Sequence, residues 1–241
     1  MKNFNTILAV GAVAAVCGAA EAAEVPFTGT FTFPSVTGGG APAPAPFAYN
    51  GTAIQDVTVG AMAISSLTST GSNGNFRASG WALDGATVGG LTGQIDTSKY
   101  ITFTISANAG FTIDMSTITF GLGRSGTGPR QWQWRSSVDN FSAALSNYTS
   151  LSAGLTNTSG VLQNPDSNSS WTGNTLTVSG SGFSGLTSIE FRLYGYNSEG
   201  SGGTGGLQGP LSFTGSVTAV PAPGAMALLG VAGLLGARRR R

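Results

Sequence analysis

Tyr100-Ile101-Thr102-Phe103-Thr104-Ile105-Ser106 and, after Ala107–Gly110, Phe111-Thr112-Ile113-Asp114-Met115-Ser116-Thr117-Ile118-Thr119-Phe120-Gly121-Leu122 are the residues that decide the fold. Apolar and hydroxyl side chains alternate with period two, which is the pattern of a strand with one face buried and one solvated. Ile101, Phe103 and Ile105 share one face, with Thr102, Thr104 and Ser106 opposite. Phe111, Ile113 and Met115 continue after the Gly110 turn, but Ile118, Phe120 and Leu122 follow in the opposite phase. One extra residue reverses every facing, so the slip at Ser116–Thr117 predicts a bulge or a tight turn.

Further strands are expected on the same grounds at Phe27–Phe33, Gln131–Ser136, Leu176–Val178, Ile189–Tyr196 and Leu211–Val217. Turn-forming glycines, as in Gly200–Gly206, separate some of them, and Gly38–Pro46 reads as an extended Gly/Pro-rich loop. No long apolar pattern of period 3.6 occurs between residues 23 and 219; only Phe141–Leu151 reads as a short helix. Short strands with frequent turns predict an all-β sandwich or jelly roll.

Composition narrows the chemistry. The 241-residue chain contains no histidine, and its single cysteine, Cys17, lies in the N-terminal segment. Nucleophile systems built on histidine are excluded from the rest of the chain, as are zinc sites built on histidine or cysteine. Charged residues are only 9% of the chain, against about 25% in ordinary soluble domains. Of eleven basic residues, Lys2 and Arg238–Arg241 lie at the ends, leaving six; of ten acidic residues only Glu21 precedes residue 23, leaving nine. The segment 23–219 therefore carries a formal charge of −3. It has no basic patch with which to grip phosphates, so nucleic acid is not an expected partner.

Both ends read as export signals. Lys2, the apolar run Ile7–Val16 and Ala20-Glu21-Ala22 form the three parts of a secretory signal peptide covering residues 1–22. At the other end, 220–241, Val220-Pro221-Ala222-Pro223-Gly224-Ala225 opens an uncharged run, 225–237, closed by Arg238, Arg239, Arg240 and Arg241. The two prolines keep a helix from starting before Gly224. The run is short and Gly/Ala-rich against the roughly 20 apolar residues of a lasting span, and the arginines hold its end on the cytoplasmic side. A transient membrane anchor fits these properties. The alternative is a plain tail-anchored helix.

This tail resembles the PEP-CTERM sorting signal of Gram-negative bacteria, in a VPAPGA-type variant where Ala222 stands in place of the usual glutamate. The resemblance implies recognition by an exosortase, a membrane transpeptidase-like enzyme, and delivery to the cell envelope or extracellular matrix. The blocks Tyr100–Ile105, Gly121–Pro129, Trp134–Phe141 and Phe191–Tyr196 are similar to an extracellular β-sandwich module of secreted bacterial proteins. That resemblance spans roughly residues 75–217 and implies a jelly-roll-like sandwich without a defined activity.

Candidate binding residues are few. Trp132 and Trp134 share one face, with Gln131, Gln133 and Arg135 opposite; the indoles read as core, the alternative being an exposed pair for sugar stacking. Glu190, Arg192, Tyr194 and Tyr196 alternate along one strand, so Arg192, Tyr194 and Tyr196, with Trp171, are candidate glycan contacts. Gly123, Gly126 and Gly128 around Arg124 read as a structural turn, since no Gly-Lys-Ser/Thr follows as a phosphate loop requires. No spacing of acidic residues selects a glycosidase pair, and neither metal nor cofactor is implied. The expected function is an exported structural or adhesive protein without catalysis. A carbohydrate-binding module for matrix polysaccharide is the alternative, and a glycan-active enzyme the remote one.

Overall fold

The alternation at Tyr100–Leu122 is realised as two strands that face each other across one core. The computed structural model describes residues 22–33, 45–70, 74–84 and 90–221. In chain order the strands are β1 (Val25–Phe31), β2 (Val57–Val59), β3 (Ala63–Ser65), β4 (Thr68–Ser69) and β5 (Asn75–Ser79). There follow β6 (Tyr100–Ala107), β7 (Phe111–Arg124), β8 (Pro129–Ser136), β9 (Tyr148–Ser150) and β10 (Thr156–Thr158). The last are β11 (Val161–Gln163), β12 (Ser169–Thr177), β13 (Ser188–Ser198), β14 (Gly205–Gln208) and β15 (Leu211–Ala219). One sheet orders its strands β1-β15-β7-β14-β5-β4, with β12 and β9 joined to β7; the other runs β10-β11-β8-β13-β6-β2, with β3 on β6. The strands of both sheets pair antiparallel. The protein is a two-sheet β-sandwich.

Gly110, at φ +86°, turns the chain from β6 in one sheet to β7 in the other. Ile101, Phe103 and Ile105 thus point inward from one side, and Ile113, Met115, Ile118 and Phe120 from the other. The phase slip is a bulge within a continuous β7, not a turn. Thr117 opposes Thr214 and Met115 opposes Gly215, so Ser116 has no partner on β15. Its carbonyl instead accepts the Val178 N–H at 2.8 Å.

Aromatic rings fill the seam between the sheets. Phe103 stacks on Phe213 at 6.0 Å and on Phe191 at 5.5 Å, while Trp134 meets Phe120 edge-on at 5.4 Å. All four tryptophans of the chain, Trp81, Trp132, Trp134 and Trp171, are buried. Gly195 shows how closely this core is fitted. A Cβ there would lie 2.7 Å from Trp132 and 3.0 Å from Trp81, so only glycine leaves room for both indoles. Outward faces carry hydroxyl pairs such as Thr117 with Thr214 at 2.7 Å and Thr119 with Thr175 at 3.3 Å.

Part of the free edge of β1 is capped by side chains. Pro26 has no donor, Thr30 N–H donates to the Tyr49 hydroxyl at 3.4 Å, and Thr32 N–H donates to Asn50 Oδ1 at 3.0 Å. Asn50 Nδ2 in turn donates to the Thr32 carbonyl at 2.6 Å. Donors occupied or missing along much of an edge discourage a further strand from pairing there.

The helix expected at Phe141–Leu151 is corrected. A 3-10 turn spans Ser137–Asp139, and Asn140 and Phe141 then adopt φ of 57° and 58°, which stops any helix. A loop follows, leading into β9. Arg135 holds it by donating to the carbonyls of Phe141 at 2.9 Å and Ser142 at 3.4 Å. The expected signal peptide up to Glu21, most of the Gly/Pro-rich loop and the tail from Ala222 onward lie outside the described residues. Among the described residues no helix is long and apolar enough to cross a membrane.

Candidate functional site

Strand alternation brings Glu190, Arg192, Tyr194 and Tyr196 of β13 to the outer face of the seven-stranded sheet. Register sets Arg192 beside Arg135, Tyr194 beside Gln133 and Tyr196 beside Gln131, all from β8. On the opposite flank Arg192 lies beside Thr102 of β6, and beyond Gln131 lies Gln163 of β11. A strip of polar and aromatic side chains thus crosses four strands.

One half of the strip is locked. The Arg192 guanidinium lies 3.6 Å from the Phe141 ring centroid and 4.3 Å from that of Tyr100, and its Nε donates to Glu190 Oε1 at 2.7 Å. Burial opposes its charge, but the hydrogen bonds to Glu190 and Tyr194 and the charge of Glu190 outweigh that and hold it more firmly protonated than an ordinary arginine. Arg135 passes 5.6 Å from the Tyr194 ring. It also donates to Gln133 Oε1 from Nη2 at 2.9 Å and from Nε at 3.2 Å. Tyr194 is left only 1% exposed. Arg192 and Tyr194 therefore meet as expected but are spent on each other and on the loop after β8.

The other half opens into a cleft of about 260 Å³ lined by Gln131, Thr158, Val161, Gln163 and Tyr196. Its side chains are positioned by a directional chain of amides. Gly93 N–H donates to Asn197 Oδ1 at 2.7 Å, Asn197 Nδ2 to Gln131 Oε1 at 2.6 Å, and Gln131 Nε2 to Gln163 Oε1 at 3.2 Å. Gln133 Nε2 donates to the Tyr196 hydroxyl at 2.9 Å. Burial raises the pKa of that phenol, against the Gln133 hydrogen bond and the nearby Arg135 charge, so it stays protonated at neutral pH. Among the described residues no charged side chain lines the cleft.

Trp171 is not part of this face. It sits on β12 in the other sheet, buried, with its Nε1 near Gly154. The rings of Tyr194, Tyr196 and Trp171 are all buried, so none presents an open stacking platform. Trp132 and Trp134 are core residues, as their shared facing suggested. Asn197, Gln131 and Gln163 were not singled out for binding in the sequence. Asn197 sits wholly buried at φ 56°, and its partners Gly93 and Gln131 are 104 and 66 residues away, so no local pattern marks it.

The turn around Arg124 is structural. Its side chain is wholly buried at the end of β7 and gathers three loops. Nη1 donates to Pro165 O at 3.3 Å and Asp166 Oδ1 at 3.2 Å, and Nη2 to Glu199 Oε1 at 3.1 Å and to the Gly126 carbonyl. A guanidinium used this way leaves no open cradle for a phosphate.

Together these define a class, an antiparallel β-sandwich with an amide-lined cleft on one outer face. Comparison with family models, curated proteins and solved structures finds no match.

Proposed function

We propose that this chain is a non-catalytic structural or adhesive unit of the bacterial cell envelope or extracellular matrix. In this reading it is a jelly-roll-like sandwich exported by residues 1–22 and sorted by the PEP-CTERM-like tail. An exosortase-type enzyme recognises Val220–Ala225 and removes or transfers the chain near Val220–Gly224, so membrane attachment is transient.

The carrying observation is the polarity of the sandwich. Val25 pairs with Val217 and Phe111 with Ala219, so the chain enters and leaves the fold at one pole. Arg124 and its three loops stand at the other end of the fourteen-residue β7, which is roughly 45 Å at strand rise. The Val220 N–H donates to the Gly110 carbonyl at 2.8 Å, so the first residue of the proposed sorting motif is tied to the sandwich at this pole. A tail handed to a membrane enzyme from that pole leaves the Arg124 pole and the outer sheet faces turned away from the membrane. The hydroxyl-rich, weakly charged outer faces suit contact with polysaccharide, and the cleft beside Tyr196 supports sugar contact within the same adhesive role.

Intact-mass measurement on protein isolated from the producing cells tests the proposal. The expected mass lacks residues 1–22 and the residues after the sorting motif. A mass that still includes residues 225–241 would overturn the sorting reading.

A further inference from the structure

We propose that the cleft between β11, β8 and β13 is a binding site for one neutral hexopyranose unit of a polysaccharide. The inference rests on the adhesive reading above and names the ligand class and the residues that contact it. Three properties of the cleft select that class.

The first is its donors. The amide chain from Gly93 through Asn197 and Gln131 ends on Gln163 Oε1. That fixes the Gln163 carboxamide by its oxygen and leaves its NH₂ group without an acceptor among the described residues. The Tyr196 hydroxyl accepts from Gln133, and no described residue accepts its proton. Thr158, exposed on the cleft rim, adds a hydroxyl that both donates and accepts. Vicinal sugar hydroxyls, each donor and acceptor at once, complement such a set.

The second is neutrality. None of the five lining residues is ionisable at neutral pH. The nearby Arg135 is committed to Gln133 and to the carbonyls of Phe141 and Ser142, so no charged side chain in the lining is offered to pair with a uronate, sulfate or phosphate. Desolvating an ion there without a partner is unfavourable, which sets neutral sugars ahead of acidic ones.

The third is size and preorganisation. A cleft near 260 Å³ lies just below the range of about 300–1,000 Å³ typical of drug-sized ligands and suits one ring in a chain. Val161 supplies apolar surface for the sugar's C–H face. Asn197 is wholly buried and Gln133 nearly so, which keeps the contacting groups in place before a ligand arrives. With no open aromatic face, recognition is led by hydrogen bonds. A Kd of about 1–10 mM per site is expected from the small contact area, with useful retention arising from many copies on one polymer.

The test is a titration of the complete processed protein, followed by NMR of the side-chain amides of Gln131 and Gln163. The probes are the methyl α-pyranosides of glucose, galactose and mannose, with glucuronic acid as the charged comparison. At least one neutral probe is expected to shift the Gln163 amide saturably, and glucuronate at least fivefold more weakly. Gln163→Glu is the decisive variant. It keeps an oxygen for Gln131 Nε2 but loses the outward NH₂, so binding should fall at least tenfold while the thermal midpoint is unchanged. Tyr196→Phe should weaken binding severalfold, and Gln55→Ala, beside Val25 and Ala219 at the pole where the chain enters and leaves the sandwich, should not. The proposal is overturned by the absence of any saturable shift at about 100 mM probe, well above the expected Kd. Unchanged affinity in Gln163→Glu or equal affinity for glucuronate would do the same. Co-sedimentation with the producing cells' own polysaccharide separates the two levels: retention that survives both Gln163→Glu and Tyr196→Phe rejects the cleft and leaves the adhesive role standing.

Discussion

Replacing Arg124 by methionine should cost far more stability than its position in a surface turn suggests. Its side chain is 0% exposed, while Glu199 is 13% and Asp166 54% exposed, so the two ion pairs differ in kind. Methionine keeps the length and removes the charge, leaving Glu199 largely desolvated beside Asp166 without its cation and freeing the carbonyls of Gly126 and Pro165. Breaking a buried pair from one side costs about 3–5 kcal/mol. The half-exposed Asp166 arm contributes under about 1 kcal/mol, so Asp166→Asn should be nearly silent. Glu199→Gln in the methionine background removes the stranded charge and should recover about 1–2 kcal/mol, a coupling that a double-mutant cycle reads directly. Urea unfolding is the assay. With a slope near 2–3 kcal/mol per molar, Arg124→Met should lower the midpoint by about 1–2 M at unchanged slope. A midpoint shift equal to that of Asp166→Asn, or no recovery in the double variant, would refute the argument that the buried Glu199 arm carries the clamp.

Acid should weaken the fold from the same pole. Burial acts to raise the Asp166 pKa, but its hydrogen bonds with Arg124 and Glu199 and the charges of Arg130 and Arg124 prevail and hold it below the ordinary value; hydrogen bonds from Ser98 do the same for Asp96. Carboxyls lowered on folding add stability that is present above their unfolded value of about 3.9 and is lost as pH falls through the lower folded values. Urea midpoints should therefore be level near pH 6 and decline only below about pH 4. At the alkaline end, burial raises the phenols of Tyr148 and Tyr196. Their contribution is intact below about pH 10 and lost as pH rises further. Absorbance titration should show that two of the five tyrosines ionise late. Gly195→Ala drives a methyl into Trp132 and Trp81, so a loss of about 1–3 kcal/mol is expected with altered tryptophan fluorescence. Asn50→Ala uncovers the Thr32 N–H and carbonyl on the β1 edge; concentration-dependent self-association by light scattering is the expected readout, at near-parental stability.

The strands were legible because one residue's facing fixes the next. Ile101, Phe103 and Ile105 announced their face, and the slip at Ser116–Thr117 announced a bulge or a turn, which pairing with β15 resolved as a bulge. Likewise the shared facing of Trp132 and Trp134, with Arg135 opposite, foretold the buried indoles. Phe141–Leu151 misled because its apolar spacing imitates a helix turn. Phe141 instead leaves the backbone at positive φ to lie on Arg192, a residue 51 positions away by number. The Tyr194–Tyr196 face was read correctly and its availability was not, since exposure depends on what neighbouring strands and loops lay over it.

The sequence by itself determined the period-two strands, the phase slip at Ser116–Thr117, the weak charge of the domain and the three-part pattern of the ends, because these are read directly from side-chain identity and order. Tertiary structure alone decided that both ends of the sandwich meet at one pole and that Arg124 is buried between Glu199 and Asp166. It also decided that the outer face divides into a locked half at Arg192 and an open half at Tyr196. The physical reason is pairing: β13 places Tyr196 beside Gln131, 65 residues apart by number, and Gln131 beside Gln163 only through β8 and β11. Alternation says which way a side chain points, and strand order says what it meets there.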